Sequence, residues 1–171
     1  MEEDRAAHYR HLVSEAGLEA KIDGIGNVVA RRKGGTGRRT VAVVAHLDTV
    51  FPEGTDVTVR RDGDKLMAPG IADDTRGLVT MLTIIKLMDR HGLDTRDDVL
   101  FVGSVGEEGL GDLRGVKHLF RDDGPGIHAF IAIDGTSNTR VLNHAIGSHR
   151  YRVRFLGPGG HSWGAFGLGN P

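Results

Sequence analysis

Three apolar runs, "VAVVA" (41–45), "VLFVGSV" (99–105) and "AFIAI" (129–133), constrain this chain more than any other feature. Each is continuous rather than alternating, the pattern of a strand buried on both faces. Between the first two, Leu78, Leu82, Ile85 and either Met81 or Met88 recur at helical spacing, predicting a helix over about 75–90 that ends before Gly92. Between the second and third, a shorter helix is predicted near 113–121, with Asp112 as its N-cap. Strands that alternate with helices make an α/β protein with a mainly parallel, helix-covered sheet.

Around this core the patterning is weaker. Ala6, Tyr9, Leu12, Val13 and Ala16 sit at helical spacing ahead of Gly17, which predicts a surface helix over 2–16. A strand is predicted at 27–32 and a short hairpin within "DVTVRRDGDKLMA". Beyond Gly147 the pattern changes, because Tyr151, Val153 and Phe155 alternate with Arg152 and Arg154 as in a half-exposed strand. The expected division is therefore 1–146 and 147–171, and the second stretch is too short to bury a core by itself. The chain reads as the N-terminal fragment of a larger protein.

The three runs end in residues able to bind a metal: His46-Leu47-Asp48, Glu107-Glu108 and Asp134. A fourth acidic pair, Asp73 and Asp74 in "GIADDTRG", stands at the start of the 75–90 helix, where free N–H groups favour a carboxylate. Taken singly, Asp74, Asp112 and Asp134 read as turn or capping residues, and Glu107-Glu108 is evenly balanced between structure and function. Open α/β sheets, however, gather ligands beyond the carboxyl ends of their strands. Four such endings at one sheet edge concentrate negative charge that calls for a cation. The chain has no cysteine, so that cation must be held by His, Asp and Glu.

Spacing suggests roles within the cluster. The two-residue period of an extended chain points His46 and Asp48 the same way, so Asp48 is expected to accept a hydrogen bond from the ring of a metal-bound His46. Glu107 and Glu108 would point apart in a regular strand and can share a site only if the backbone turns there. Gly106 and Gly109 permit that turn.

Charge narrows the partners. Lys plus Arg number 22 against 23 Asp plus Glu, which makes no electrostatic case for nucleic acid or an anionic membrane. No apolar run approaches the roughly 20 residues that cross a bilayer. A cytoplasmic location and a small polar substrate are the expectations.

The segments "AHLDTV", "GIADDTRG", "GEEGLGDLRG", "IAIDG" and "GPGGHSWGAFG", in this order, closely resemble the co-catalytic metallohydrolase family of aminoacylase, carboxypeptidase G, tripeptide aminopeptidase and succinyl-diaminopimelate desuccinylase. The resemblance runs from about residue 24 onward. It implies a zinc-exopeptidase-like (phosphorylase/hydrolase-like) fold with the start of an inserted α+β lid. It also implies two divalent ions, most often zinc, with cobalt or manganese as alternatives. The carboxylate matching Asp73 would bridge them, the residues matching His46 and Asp134 would complete one site, and Glu108 would bind the other. Glu107 matches the general base that takes a proton from a metal-activated water and passes it to the leaving amine. His161 matches a lid histidine that holds the substrate carboxylate or oxyanion, often across a homodimer. The implied substrates are small peptides or N-acyl amino acids, which makes the parent an exopeptidase, dipeptidase or deacylase.

One family ligand has no counterpart, because a further histidine follows the lid and the present sequence stops at Pro171. The expectation is that these 171 residues bind at most one metal well and hydrolyse little or nothing. The alternative from another class is a non-catalytic module stabilised by its metal. A calcium-type oxygen site fits His46 poorly, since imidazole suits zinc-like metals. Arg76 is expected to be a solvated first-turn arginine rather than a substrate contact. His8, His11, His91, His118, His128, His144 and His149 match no ligand position and read as solvated or capping residues.

Overall fold

A computed structural model describes residues 2–122, 126–135, 137, 139–161 and 163–164 of the chain. They fall into two compact units, Met1–Ser137 and Asn138–Pro171.

The first unit is built on a five-stranded mixed sheet. Its elements run α1 (Glu2–Glu15), β1 (Ala20–Ile22), β2 (Val28–Arg32), β3 (Thr40–His46), β4 (Arg60–Asp62), β5 (Lys65–Met67), α2 (Arg76–Arg90), β6 (Asp98–Ser104), α3 (Arg114–Asp122) and β7 (Ile127–Ala132). The sheet order is β1-β2-β6-β3-β7, while β4 and β5 form the separate hairpin. The pairs β6-β3 and β3-β7 are parallel, as the alternation of strands and helices predicts, and β2 and then the edge strand β1 extend the sheet antiparallel. β1 has no counterpart in the expected elements: three half-exposed or exposed residues carry too little pattern to read.

Side-chain alternation divides the core in two. Val28, Ala30, Val43, Ala45 and Phe101 face α1 and α2, where Tyr9, Val13, Leu78, Met81 and Ile85 complete the packing. Val29, Ala42, Val44, Leu100 and Val102 face the other way, toward Leu119 of α3. Both faces of β3 and β6 are thus covered, which is why their sequences are continuously apolar. Helix α1 carries Ala6, Tyr9 and Val13 on one stripe, and each is buried. The Tyr9 ring lies against Gly103, where a Cβ would sit only 3.0 Å from the ring.

Three expectations are corrected. The run "AFIAI" is not buried on both faces: in β7, Phe130 is 38% and Ile131 51% exposed, because among the described residues only β3 pairs with this edge strand. Asp112 does not cap α3. It and Leu113 adopt left-handed φ values of 56° and 51°, unlike the extended conformation of an N-cap, and the Asp112 carboxylate pairs with Lys117 at 2.6 Å. Finally, Tyr151, Val153 and Phe155 form no strand. They are 83%, 70% and 76% exposed, since no strand among the described residues of the second unit pairs with their backbone.

Candidate metal centre

The carboxyl ends of β3, β6 and β7 lie side by side, because His46 is in register with Ser104 and Val44 with Ala132. A further backbone bond, Ile133 N–H to Val44 C=O at 2.8 Å, carries the pairing to the threshold of Asp134. Parallel register therefore gathers residues from positions 46–48, 107–108 and 134 at one edge.

His46 is the centre of the cluster and is nearly inaccessible, at 3% exposure. Its Nδ1 donates to the Asp48 main-chain carbonyl at 2.9 Å, an acceptor that fixes the proton on Nδ1 and turns Nε2 outward. Nε2 meets Asp73 Oδ1 at 2.8 Å, with Asp134 Oδ1 at 4.0 Å. Burial pulls the ring toward neutrality, but Asp48 and Asp73, helped by the Asp74 charge, outweigh it and raise the pKa to about 10. A cation bound by Nε2 must displace the proton that Nε2 carries in the imidazolium form.

Asp48 does more with its carboxylate than the two-residue spacing suggests. Its Oδ1 stands 3.7 Å from His46 Nδ1, too far for a hydrogen bond. Instead Oδ1 and Oδ2 accept the backbone N–H groups of Glu107 (3.1 Å) and Glu108 (2.7 Å). Burial would raise this carboxyl, yet His46 and the two N–H donors hold it at about 2. The carboxylate thus clamps the backbone of the acidic pair. Gly106 and Gly109, with φ of 72° and 58°, supply the turn that lets both side chains approach His46. One atom each from His46, Glu107 and Glu108 lies within 4.8 Å of the others, and the same holds for His46, Asp73 and Asp134. Among the described residues these are the two groups able to hold a metal, and both contain His46.

The donor chemistry fits a divalent cation of the zinc type, with one imidazole and several carboxylates and no thiolate. Burial pushes the Glu107 carboxyl up, with Asp134, Glu108 and Asp48 adding to the rise and His46 opposing it. Asp73 and Asp134 are 50% and 43% exposed, although Asp73 Oδ1 is engaged by His46 Nε2.

Two residues matter more than their sequence context indicates. Asp74, read singly as a cap, is fully buried and accepts both Gly77 N–H and His46 N–H at 3.0 Å. It joins the start of α2 to the end of β3; burial, only partly offset by these donors and His46, raises its pKa to about 6. A side chain at Gly77 would collide with Asp74 and the Ile133 carbonyl, which explains the glycine three residues after a buried aspartate. Arg76 is not merely solvated. It donates to the Gly135 carbonyl, steadying the loop that carries Asp134. The only sequence signal for either role is their place inside "DDTRG".

His161 belongs to the second unit, where its Nδ1 accepts the backbone N–H groups of Trp163 and Gly164 at 3.2 Å.

The mixed α/β sheet, with an imidazole-carboxylate cluster at the carboxyl ends of its parallel strands, has the zinc-exopeptidase-like fold of the aminopeptidase structure on which it superposes. The chain belongs to peptidase family M20/M25/M40, whose model matches residues 42–163. It is 29% identical over 107 residues to carboxypeptidase G2 of Pseudomonas sp. (strain RS-16), covering 53% of this chain and 26% of that protein. It is 33% identical over 105 residues to a putative [LysW]-lysine/[LysW]-ornithine hydrolase of Pyrococcus horikoshii, covering 61% and 28%. The aminopeptidase PepT structure from Bacillus cereus superposes with a TM-score of 0.62 at 23% identity, over 75% of this chain and 37% of that one, a likeness of fold. The chain spans about a quarter of the length of the curated relatives it matches. No helix among the described residues is long and apolar enough to cross a membrane.

Proposed function

We propose that this chain carries the metal-binding core of a hydrolase that cleaves amide bonds in small peptides or N-acyl amino acids. The observation that carries the reading is the grouping of His46 with Asp73 and Asp134, whose ligand atoms lie within 4.8 Å of one another, with Glu107 and Glu108 reaching the same imidazole. In this reading Asp73, His46 and Asp134 would hold one divalent ion, such as zinc, and Glu108 would help to hold a second. A divalent cation there supplies polarisation of the substrate carbonyl and lowers a water pKa from 15.7 to about 7.

The chain's own groups do the rest. Glu107, whose carboxyl is already pushed up by burial, takes the proton of the attacking water and delivers it to the departing amine. Asp48 holds Glu107 and Glu108 through their backbone and fixes the His46 tautomer through its carbonyl. An open cleft of about 770 Å³, walled by Leu47, Val50 and Phe51, borders the cluster at Asp48 and Glu108, while His46, Asp73, Glu107 and Asp134 lie outside its lining. Residues 147–171 are the start of a lid, with His161 as a substrate contact, and the whole protein is a cytoplasmic homodimer.

Calorimetric titration of the chain with zinc or cobalt tests the reading. Binding that disappears in His46→Ala supports it, and binding indifferent to that change overturns it. In a form that turns over dipeptides or N-acyl amino acids, Glu107→Ala abolishes activity with metal content nearly intact. Loss of both would make Glu107 a ligand.

A further inference from the structure

The N-terminal helix approaches both acid-bearing loops. Arg5 donates to Thr75 Oγ1 at 2.7 Å, and the Thr75 hydroxyl in turn donates to the Gly70 carbonyl at 2.7 Å. That carbonyl also receives Thr75 N–H at 3.3 Å, so the six residues 70–75, with Asp73 among them, are drawn into one closed turn. Four residues on from Arg5, Tyr9 OH donates to the Leu78 carbonyl at 3.3 Å, so the same face of α1 holds both the residue before α2 and the first turn of α2. Three residues before Arg5, Glu2 pairs with Arg114, whose side chain lies over Gly106, the residue preceding Glu107.

We propose that Arg5 is a positioning residue for the metal site, holding the 70–75 turn and thereby Asp73 at its distance from His46 through the Arg5–Thr75–Gly70 chain. A helix that is otherwise ordinary surface packing becomes the strut behind the proposed ligand Asp73. The role rests on the metal-site reading, but the loop itself can be examined without any metal.

Position and charge predict opposite signs. If Arg5 matters only as a positive charge near the carboxylates, its removal strengthens cation binding. If it positions Asp73, its removal weakens binding, as loss of the groups that orient ligands does by about 10- to 100-fold. Thr75→Val separates the two cleanly, because it cuts the chain and leaves the charge in place.

The test compares wild type, Arg5→Met, Arg5→Lys, Thr75→Val and the Arg5→Met/Thr75→Val double variant of the full 171-residue chain. Amide hydrogen exchange is read at 71–75 without metal, and cobalt affinity is measured by titration. The expected result is faster exchange at the Thr75 amide in Arg5→Met and Thr75→Val, with β3 amides unchanged. Cobalt affinity is expected to fall about tenfold in each and no further in the double variant, with partial recovery in Arg5→Lys. Wild-type exchange at 71–75 in Arg5→Met, or tighter cobalt binding, overturns the proposal. If Arg5→Met does not fold, Thr75→Val decides by the same two readouts. Wild-type cobalt binding that is insensitive to His46→Ala sinks the metal-site reading instead, and the exchange data still decide whether Arg5 holds the turn.

Discussion

The buried frame of the site and its exposed, proposed ligands differ in one physical respect. His46, Asp48 and Asp74 are 3%, 9% and 0% exposed, and their hydrogen-bonding atoms are spent on the protein itself. Asp73 and Asp134 are about half exposed and lie around His46 Nε2. The frame is where folding free energy is committed, and the exposed acids are where binding free energy is available. His46 alone belongs to both, buried for most of its ring and facing the acids with Nε2.

Breaking the shared member has the largest effect. His46→Gln should weaken zinc binding by roughly 100-fold or more, since about 10–16 kcal/mol of structural zinc affinity is spread over some four ligands. Calorimetry checks it. Next comes the frame: Asp74→Ala leaves the His46 and Gly77 N–H groups buried without an acceptor. The metal-free chain should lose about 2–3 kcal/mol in urea unfolding. A change within about 0.5 kcal/mol would mean that the two N–H groups find water.

A graded effect follows from the His46 pKa. Its folded value, about 10, lies above the ordinary 6.5, so the stability it contributes is complete below pH 6.5 and is lost as pH rises through 10. Urea unfolding of the metal-free chain should therefore weaken from pH 7 to 10, and His46→Gln should flatten that slope. Zinc affinity should rise over the same interval, because the ligand must be deprotonated. Smallest of all for folding are the exposed acids. Asp134→Asn should leave stability within about 0.5 kcal/mol while reducing metal affinity, which sharpens the division between frame and ligands. An unchanged affinity would remove Asp134 from the ligand set.

Much of the site was legible because its signals are local. Continuous apolar runs ending in His46-Leu47-Asp48, Glu107-Glu108 and Asp134 identify strands and their open ends without reference to the rest of the chain. Gly106 and Gly109 likewise announce a turn at the acidic pair, and both have positive φ. The illegible parts depend on partners. β7 has the composition of a buried strand but is an edge. "RYRVRF" alternates as a strand does, yet its backbone meets no partner strand among the described residues of its unit. Asp112 has the residue type of an N-cap but the wrong backbone conformation for one.

The sequence by itself determined which side chains stand at the strand ends, because alternation and polarity are carried by neighbours two to four residues apart. Only the tertiary structure decided what holds them. Asp74 meets the His46 backbone across 28 positions, Asp48 meets Glu108 across 60, and Arg5 meets Thr75 across 70. Such bonds depend on sheet register and on how α1 and α2 pack, and the hydrogen-bonding capacity of an aspartate or arginine leaves no mark on its sequence neighbours. The candidate ligands could be named in order along the chain; their orientation belongs to the fold.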